Sequence, residues 1–284
     1  MKKIGVIGLG LVGTAVAKRL LAADYALIGF DVRPEAREMF ASLGFEVTPS
    51  LDEMGQIVDC AVLAVFETKD VVSVIESADG LLSSGSASSV RTLIDCSTGE
   101  PEALQALALR LSARGIDFIE AALSGSSQQI ENGGATMLLG GKEAVIERCE
   151  QLLNAISPRR IHIGAAGMGA NAKLATNLVL GLNRAALAEG MVFAQNLGIE
   201  AATFLELVLQ TPARSGAAEA KGQMMVDGKF APQSRIRQHL KDVDIMIAAA
   251  RQVGQRLPLS ETHAALMRAA VAAGDGDLDN AAII

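Results

Sequence analysis

The amino-terminal run Ile4-Gly5-Val6-Ile7-Gly8-Leu9-Gly10-Leu11-Val12-Gly13 sets the architecture of the chain. Its apolar start reads as a short buried strand, and residues 14–21 after it carry helical spacing. Gly8, Gly10 and Gly13 between them have the G-x-G-x-x-G spacing. In a strand–turn–helix setting the first glycine permits the tight turn and the second lets a pyrophosphate approach the backbone. The third lets helix and strand pack closely. The helix start then offers unpaired N–H groups and a partial positive charge to an anion. Residues 26–30 read as a second strand, ending at Asp31, eighteen residues past Gly13. A carboxylate there accepts hydrogen bonds from a ribose 2′-OH and repels a 2′-phosphate, which favours NAD. Arg33, two residues on, can hold a phosphate and leaves NADP open.

Working outward, residues 3–7, 26–31, 60–65, 92–96, 117–121, 135–139 and 160–163 are strand candidates. Helical stretches at 14–23, 33–43, 71–75 and 101–114 lie between the first five. This alternation predicts βαβ units and a mostly parallel sheet covered on both faces. The texture changes at Gly164-Ala165-Ala166-Gly167-Met168-Gly169, after which the strand signal stops. Residues 170–197, 202–210, 236–252 and 259–273 read as helices. The expected organisation is an α/β Rossmann-type domain over residues 1–164 and an all-α domain over residues 165–284. The latter is rich in Ala and Gly and suited to pairing with a second copy, so a homodimer or homotetramer is expected.

Composition narrows the function. Half of the 284 residues are apolar, 3% are aromatic, and 25 basic against 32 acidic residues give a net charge of −7. Nucleic acid is not an expected partner, because phosphate binding needs a basic surface and single-strand binding needs aromatic platforms. No apolar run approaches the roughly 18 residues of a membrane helix. Met1-Lys2-Lys3 leads straight into a run too short for a secretory leader, so the cytoplasm is the expected compartment and no membrane association is expected. Cys60, Cys96 and Cys149 are scattered free thiols of a reducing compartment. His162, His239 and His263 lack metal spacing, and no metal is expected.

Lys173 and Asn177 lie four residues apart on an otherwise apolar helix just past the junction, where an inter-domain cleft is expected. Here the sequence resembles the β-hydroxyacid dehydrogenase family, the 3-hydroxyisobutyrate dehydrogenase group, nearly end to end. The residues that carry the resemblance are the opening glycine motif and Asp95-Cys96-Ser97-Thr98 with Pro101. Ser124-Gly125-Ser126, the segment from Gly167 through Lys173 to Asn177, and Lys241-Asp242 complete them. The resemblance implies an NAD(P)-dependent enzyme acting on a small carboxylate, a β-hydroxy acid or the matching semialdehyde or keto acid. It makes Lys173 the catalytic acid/base and Asn177 a substrate-orienting amide. Ser124, Gly125 and Ser126 would bind the substrate carboxylate, largely through backbone N–H groups. Gly8, Leu9, Gly10, Leu11, Val12, Gly13, Asp31, Val65, Phe66, Thr98 and Lys241 would touch the cofactor.

The sequence also departs from the family. The usual D-x-P-V-S-G-G is Glu120-Ala121-Ala122-Leu123-Ser124-Gly125-Ser126, and the usual Leu-Pro after the third strand is Val65-Phe66. Ser126 in place of glycine alters the pocket if that position needs φ > 0. Ser126, Ser127, Gln128 and Gln129 are expected to offer polar contacts to a more hydroxylated or amide-bearing substrate. Two other readings share the scaffold. A 6-phosphogluconate-like dehydrogenase normally has His where this chain has Thr176, and a non-catalytic dinucleotide sensor would not need Lys173, Asn177 and Lys241 together. Imine reductases usually lack the lysine.

Overall fold

The computed structural model describes residues 3–83 and 88–284. In chain order it runs β1 (Ile4–Ile7), α1 (Leu11–Leu21), β2 (Leu27–Phe30), α2 (Pro34–Ser42), β3 (Glu46–Val47), α3 (Leu51–Ile57), β4 (Cys60–Leu63) and α4 (Thr68–Glu76). Next come β5 (Thr92–Asp95), α5 (Pro101–Ala113), β6 (Asp117–Ser124), α6 (Ser127–Glu131), β7 (Thr136–Gly140), α7 (Glu143–Arg148), α8 (Glu150–Ile156) and β8 (Arg159–Gly164). The remainder is α9 (Met168–Asn196), α10 (Ala201–Gln210), α11 (Gly216–Asp227), α12 (Ile236–Gln252), α13 (Pro258–Ala272) and two short 3-10 turns.

Among the described residues, eight strands form one sheet in the order β3-β2-β1-β4-β5-β6-β7-β8. Neighbouring strands are parallel except β6 and β7. Strand order reverses at β1: the chain winds outward through β2 and β3, then returns to place β4 on β1's other side. The crevice at the carboxyl ends of β1 and β4 is therefore the switch point where ligands bind in such sheets. Each face has its own core. Val16 and Leu20 of α1 pack with Val6, Val62 and Ile119 on one side, while Leu104, Leu107 and Leu111 of α5 join Ile7, Leu63 and Leu93 on the other. Strands covered on both faces read as continuous apolar runs, which is why β1, β2, β4 and β5 stand out in the sequence.

The chain divides into two compact units, residues 1–173 and 174–284. The division falls inside α9, past the junction at Gly164. The reason is packing: the first turn of α9 belongs to the α/β unit, where Ala170 is buried in the core under α5. The second unit is all-helical. Leu187 and Met191 of α9 pack with Leu205, Val208, Ala218 and Met225, and Leu174 packs with Val243, Ile247, Ala264 and Met267. A Cβ on Gly222 would lie 2.3 Å from Leu205, so α10 and α11 meet over a glycine. Among the described residues no helix is long and apolar enough to cross a membrane, and no group of three His, Cys, Asp or Glu side chains could hold a metal ion.

Candidate active site

Backbone atoms close in on the glycine turn at Gly8 and Gly13. Gly8 has φ +88°, and a Cβ there would lie 2.3 Å from the Ala64 carbonyl oxygen. A Cβ on Gly13 would lie 1.8 Å from the Gly8 oxygen. Those two glycines are required by the fold itself. Gly10 differs: a Cβ there would meet nothing within 4 Å. It is the N-cap of α1, with no side-chain cap and no acidic residue in the first turn. An uncapped helix start beside open backbone fits a pyrophosphate.

Asp31 closes the same crevice. Its Oδ2 accepts the Leu9 N–H at 2.8 Å and its Oδ1 accepts the Arg33 N–H at 3.0 Å. The Arg33 guanidinium adds two hydrogen bonds at 3.1 Å, one to each oxygen. Burial pushes the Asp31 carboxyl up, but the Arg33 side chain and the two N–H groups outweigh it, and the pKa lies below the usual value. Across the crevice the Val65 N–H donates to Ser97 Oγ at 3.0 Å. The Ser97 N–H in turn donates to Asp95 Oδ1 at 2.9 Å. This fixes the loop after β4 to the Asp95–Thr98 turn, leaving Phe66 exposed and Thr98 half-buried.

The sixth strand extends to Ser124, beyond the 117–121 expected from sequence, and delivers the Ser124-Gly125-Ser126 loop. Ser126 has φ −74°, so it needs no glycine and carries no strain. It is the N-cap of α6: its Oγ accepts the Gln129 N–H, and its own N–H donates to Gln129 Oε1 at 2.8 Å. The Ser126 N–H, which the resemblance gives to a substrate carboxylate, is held by Gln129 in this structure. The S-x-x-Q spacing carries that capping signal in the sequence.

Lys173 stands on the second turn of α9, 7% exposed, and its Nζ donates to the Leu123 carbonyl at 2.6 Å. The ammonium is thereby placed at the head of the 124–126 loop. Glu120, earlier on the same strand, accepts backbone N–H groups at the start of α9. The sequence marks it only as the first residue of the altered loop motif, since its partners lie nearly fifty residues away. Within the helical unit, the Asn177 amide donates to Asp242 Oδ2 at 3.2 Å. Lys241 Nζ pairs with the other Asp242 oxygen at 3.0 Å. Asp242 is a functional candidate that the Lys-Asp doublet signals without specifying its partner.

The helical unit buries further charge. Asp279, fully buried, pairs with Lys221 at 2.8 Å and accepts the Gln233, Ser234 and Ala281 N–H groups. Burial lowers the Arg184 pKa to about 10, with Asp279 opposing. The His263 ring lies against His239 with centroids 5.5 Å apart and planes tilted by 59°, and burial, aided by Arg184, lowers the His263 pKa to about 4. An unfolded histidine titrates near about 6.5. As pH falls below that value the unfolded chain takes up a proton that folded His263 refuses until about pH 4. Stability is therefore lost across that window, by on the order of 3 kcal/mol at full extent. His263→Gln is expected to flatten the fall in urea-unfolding free energy between those two pH values. A slope equal to wild type would show that His263 is not buried neutral.

Comparison with known proteins identifies the family. Residues 3–177 match the family described as "NAD binding domain of 6-phosphogluconate dehydrogenase". Residues 167–284 match the one described as "NAD-binding of NADP-dependent 3-hydroxyisobutyrate dehydrogenase". The chain is 28% identical to 2-(hydroxymethyl)glutarate dehydrogenase of Eubacterium barkeri, over 99% of this chain and 93% of that one. It is also 28% identical to L-threonate dehydrogenase of Cupriavidus necator, over 100% and 95%. The crystal structure of a 3-hydroxyisobutyrate dehydrogenase from Salmonella typhimurium superposes with a TM-score of 0.86 at 27% identity, covering 100% of this chain and 99% of that one. With both halves matched and these relatives aligned over 93% to 99% of their length, the chain belongs to the β-hydroxyacid dehydrogenases, NAD(P)-dependent oxidoreductases of the 3-hydroxyisobutyrate dehydrogenase type.

Proposed function

We propose that the chain interconverts a small β-hydroxy acid and the matching semialdehyde or keto acid, with NAD preferred and Lys173 as the acid/base. The observation that carries this is the buried Lys173 ammonium held on the Leu123 carbonyl, where the strand opens into the 124–126 loop. Gly8 to Gly13 and Asp31 would hold the dinucleotide, with Val65, Phe66, Thr98 and Lys241 flanking it. When bound, its nicotinamide supplies the hydride acceptor or donor. The chain's own work is proton transfer and charge stabilisation. As ammonium, Lys173 stabilises a developing alkoxide; as amine, it accepts the hydroxyl proton. Asn177, its amide oriented by Asp242, would hold a substrate hydroxyl in register. Ser124 and Gly125 would meet the carboxylate, and the Ser126 hydroxyl would add a polar contact. A screen of small hydroxy acids with NAD and NADP, read by absorbance of the reduced cofactor, tests the reading. Cofactor binding without turnover of any of them would favour a sensor.

Cofactor preference rests on Asp31. Wild-type kcat/KM should be higher with NAD, and Asp31→Ala should narrow the gap. The Arg33 fork on Asp31 is the observation that favours NADP, because a phosphate could take over that guanidinium. A wild-type preference for NADP would overturn the assignment and point to Arg33.

We further propose a cytoplasmic homodimer or homotetramer that docks neither on membranes nor on nucleic acid. Val179 and Phe193 on α9 and Leu197 just past its end are exposed, and exposed apolar side chains of this size along one helix favour association. Light scattering should give a mass above the 29.5 kDa monomer; a monomer at micromolar concentration would refute this.

A further inference from the structure

Glu120 is 2% exposed in the middle of a strand whose neighbours Ile119, Ala121 and Ala122 are all buried. A carboxylate in that position is costly unless its charge is met by hydrogen bonds. The start of α9 meets it. Oε1 accepts the Gly167 N–H, Oε2 accepts the Ala170 N–H at 2.9 Å, and the Gly169 N–H also bonds to it. Because both oxygens accept, the ionised form is the one the geometry fits. Burial pushes the carboxyl pKa up while those three N–H groups pull it down, and burial prevails. The surroundings are cut to this side chain. A Cβ on Gly140 would lie 2.7 Å from Oε2, and one on Gly169 would lie 2.8 Å from it. Two glycines on separate elements thus leave room for one carboxylate oxygen.

One strand therefore grips α9 at two points. Glu120 holds the backbone of residues 167–170, and three residues further along, the Leu123 carbonyl holds the Lys173 ammonium. The height and rotation of the first two turns of α9 on the sheet decide where the ammonium stands relative to the 124–126 loop. We propose that Glu120 is a positioning residue for the reaction, setting Lys173 in register with the substrate loop by anchoring the start of α9. The proposal rests on the reading of Lys173 as the acid/base.

The test is a double-mutant cycle on the full-length protein: Glu120→Gln and Glu120→Asp, each in wild type and in Lys173→Ala, with kcat, substrate KM and dinucleotide Kd measured. In wild type, Glu120→Gln is expected to lower kcat about 10-fold or more, since small misplacements of reacting groups are costly. Dinucleotide Kd should stay within about twofold. In Lys173→Ala the same substitution should change kcat by less than about twofold, because the group it places is gone. An equal loss in both backgrounds would mark Glu120 as structural support only and overturn the proposal, as would an unchanged kcat in Glu120→Gln. Should the glutamine variant fail to fold, Glu120→Asp decides: it keeps the charge, withdraws the carboxylate by one methylene, and should show the same loss and the same dependence on Lys173. If Lys173→Ala alone keeps more than about a tenth of kcat, less than the general acid–base contribution, the lysine reading fails first and this proposal with it.

Discussion

Lys173→Ala is expected to lower kcat by at least about 10²-fold, the lower end of what a lost general acid–base group costs. Loss of the cation facing the developing alkoxide adds to this. Dinucleotide affinity should barely change, because the glycine turn and Asp31 hold one another through the Leu9 N–H without help from Lys173. The fold should survive as well, since alanine has the highest helix propensity and α9 runs for 29 residues. Lys173→Arg should not rescue: a guanidinium does not deprotonate in a protein, and its planar fork does not match a single carbonyl oxygen. Steady-state kinetics on the best substrate checks this. Retention of more than about a tenth of wild-type kcat, against the minimum expected contribution, would require the site to be rebuilt around Lys241.

Two alanine substitutions three residues apart in the glycine turn should behave in opposite ways. Gly13→Ala forces a Cβ to within 1.8 Å of the Gly8 oxygen, a backbone atom that cannot give way. Overpacking of that severity should cost about 3 kcal/mol or more, seen as a fall of roughly 10 °C in Tm. Gly10→Ala meets nothing in the protein, and Gly10 has φ −79°, which alanine adopts freely. Its Tm should fall only slightly, through the poorer N-cap. Its dinucleotide affinity should fall about 10-fold or more, because the backbone there must let a pyrophosphate approach. Titration by fluorescence of the reduced cofactor, alongside thermal melts, separates the two. Unchanged affinity in Gly10→Ala would mean that the turn does not carry the pyrophosphate.

Much of this was legible in the residues. Strands buried on both faces announce themselves as apolar runs, so β1, β2, β4 and β5 were found within two residues of their ends. The two-residue β3 has no such run. The first turns of α3 and α6 are marked by capping pairs, Ser50 with Glu53 and Ser126 with Gln129, rather than by periodicity. A helix pattern seeks apolar spacing and overlooks them. The reversal of β7 was invisible because periodicity reports burial and not strand direction. The grip of Glu120 on Gly167 and the pairing of Asn177 with Asp242 join residues 47 and 65 positions apart. Such contacts exist only once the fold is made. What the sequence did carry was the set of residue types: the glycines, the acid after β2, and the lysine and amide one turn apart.

Two helix starts in this protein are electrically alike and chemically opposite. The first turn of α1 holds no acid, and its cap contributes no side chain. The first turn of α9 holds no acid either, yet it takes a carboxylate from β6. A helix start left open attracts any anion in solution, while one already occupied by a buried carboxylate repels them. Sulfate, phosphate and other simple anions in a buffer should therefore slow this enzyme by contesting the dinucleotide at α1, and leave the start of the lysine-bearing helix alone. Inhibition by salt then becomes a gauge of the cofactor end of the reaction.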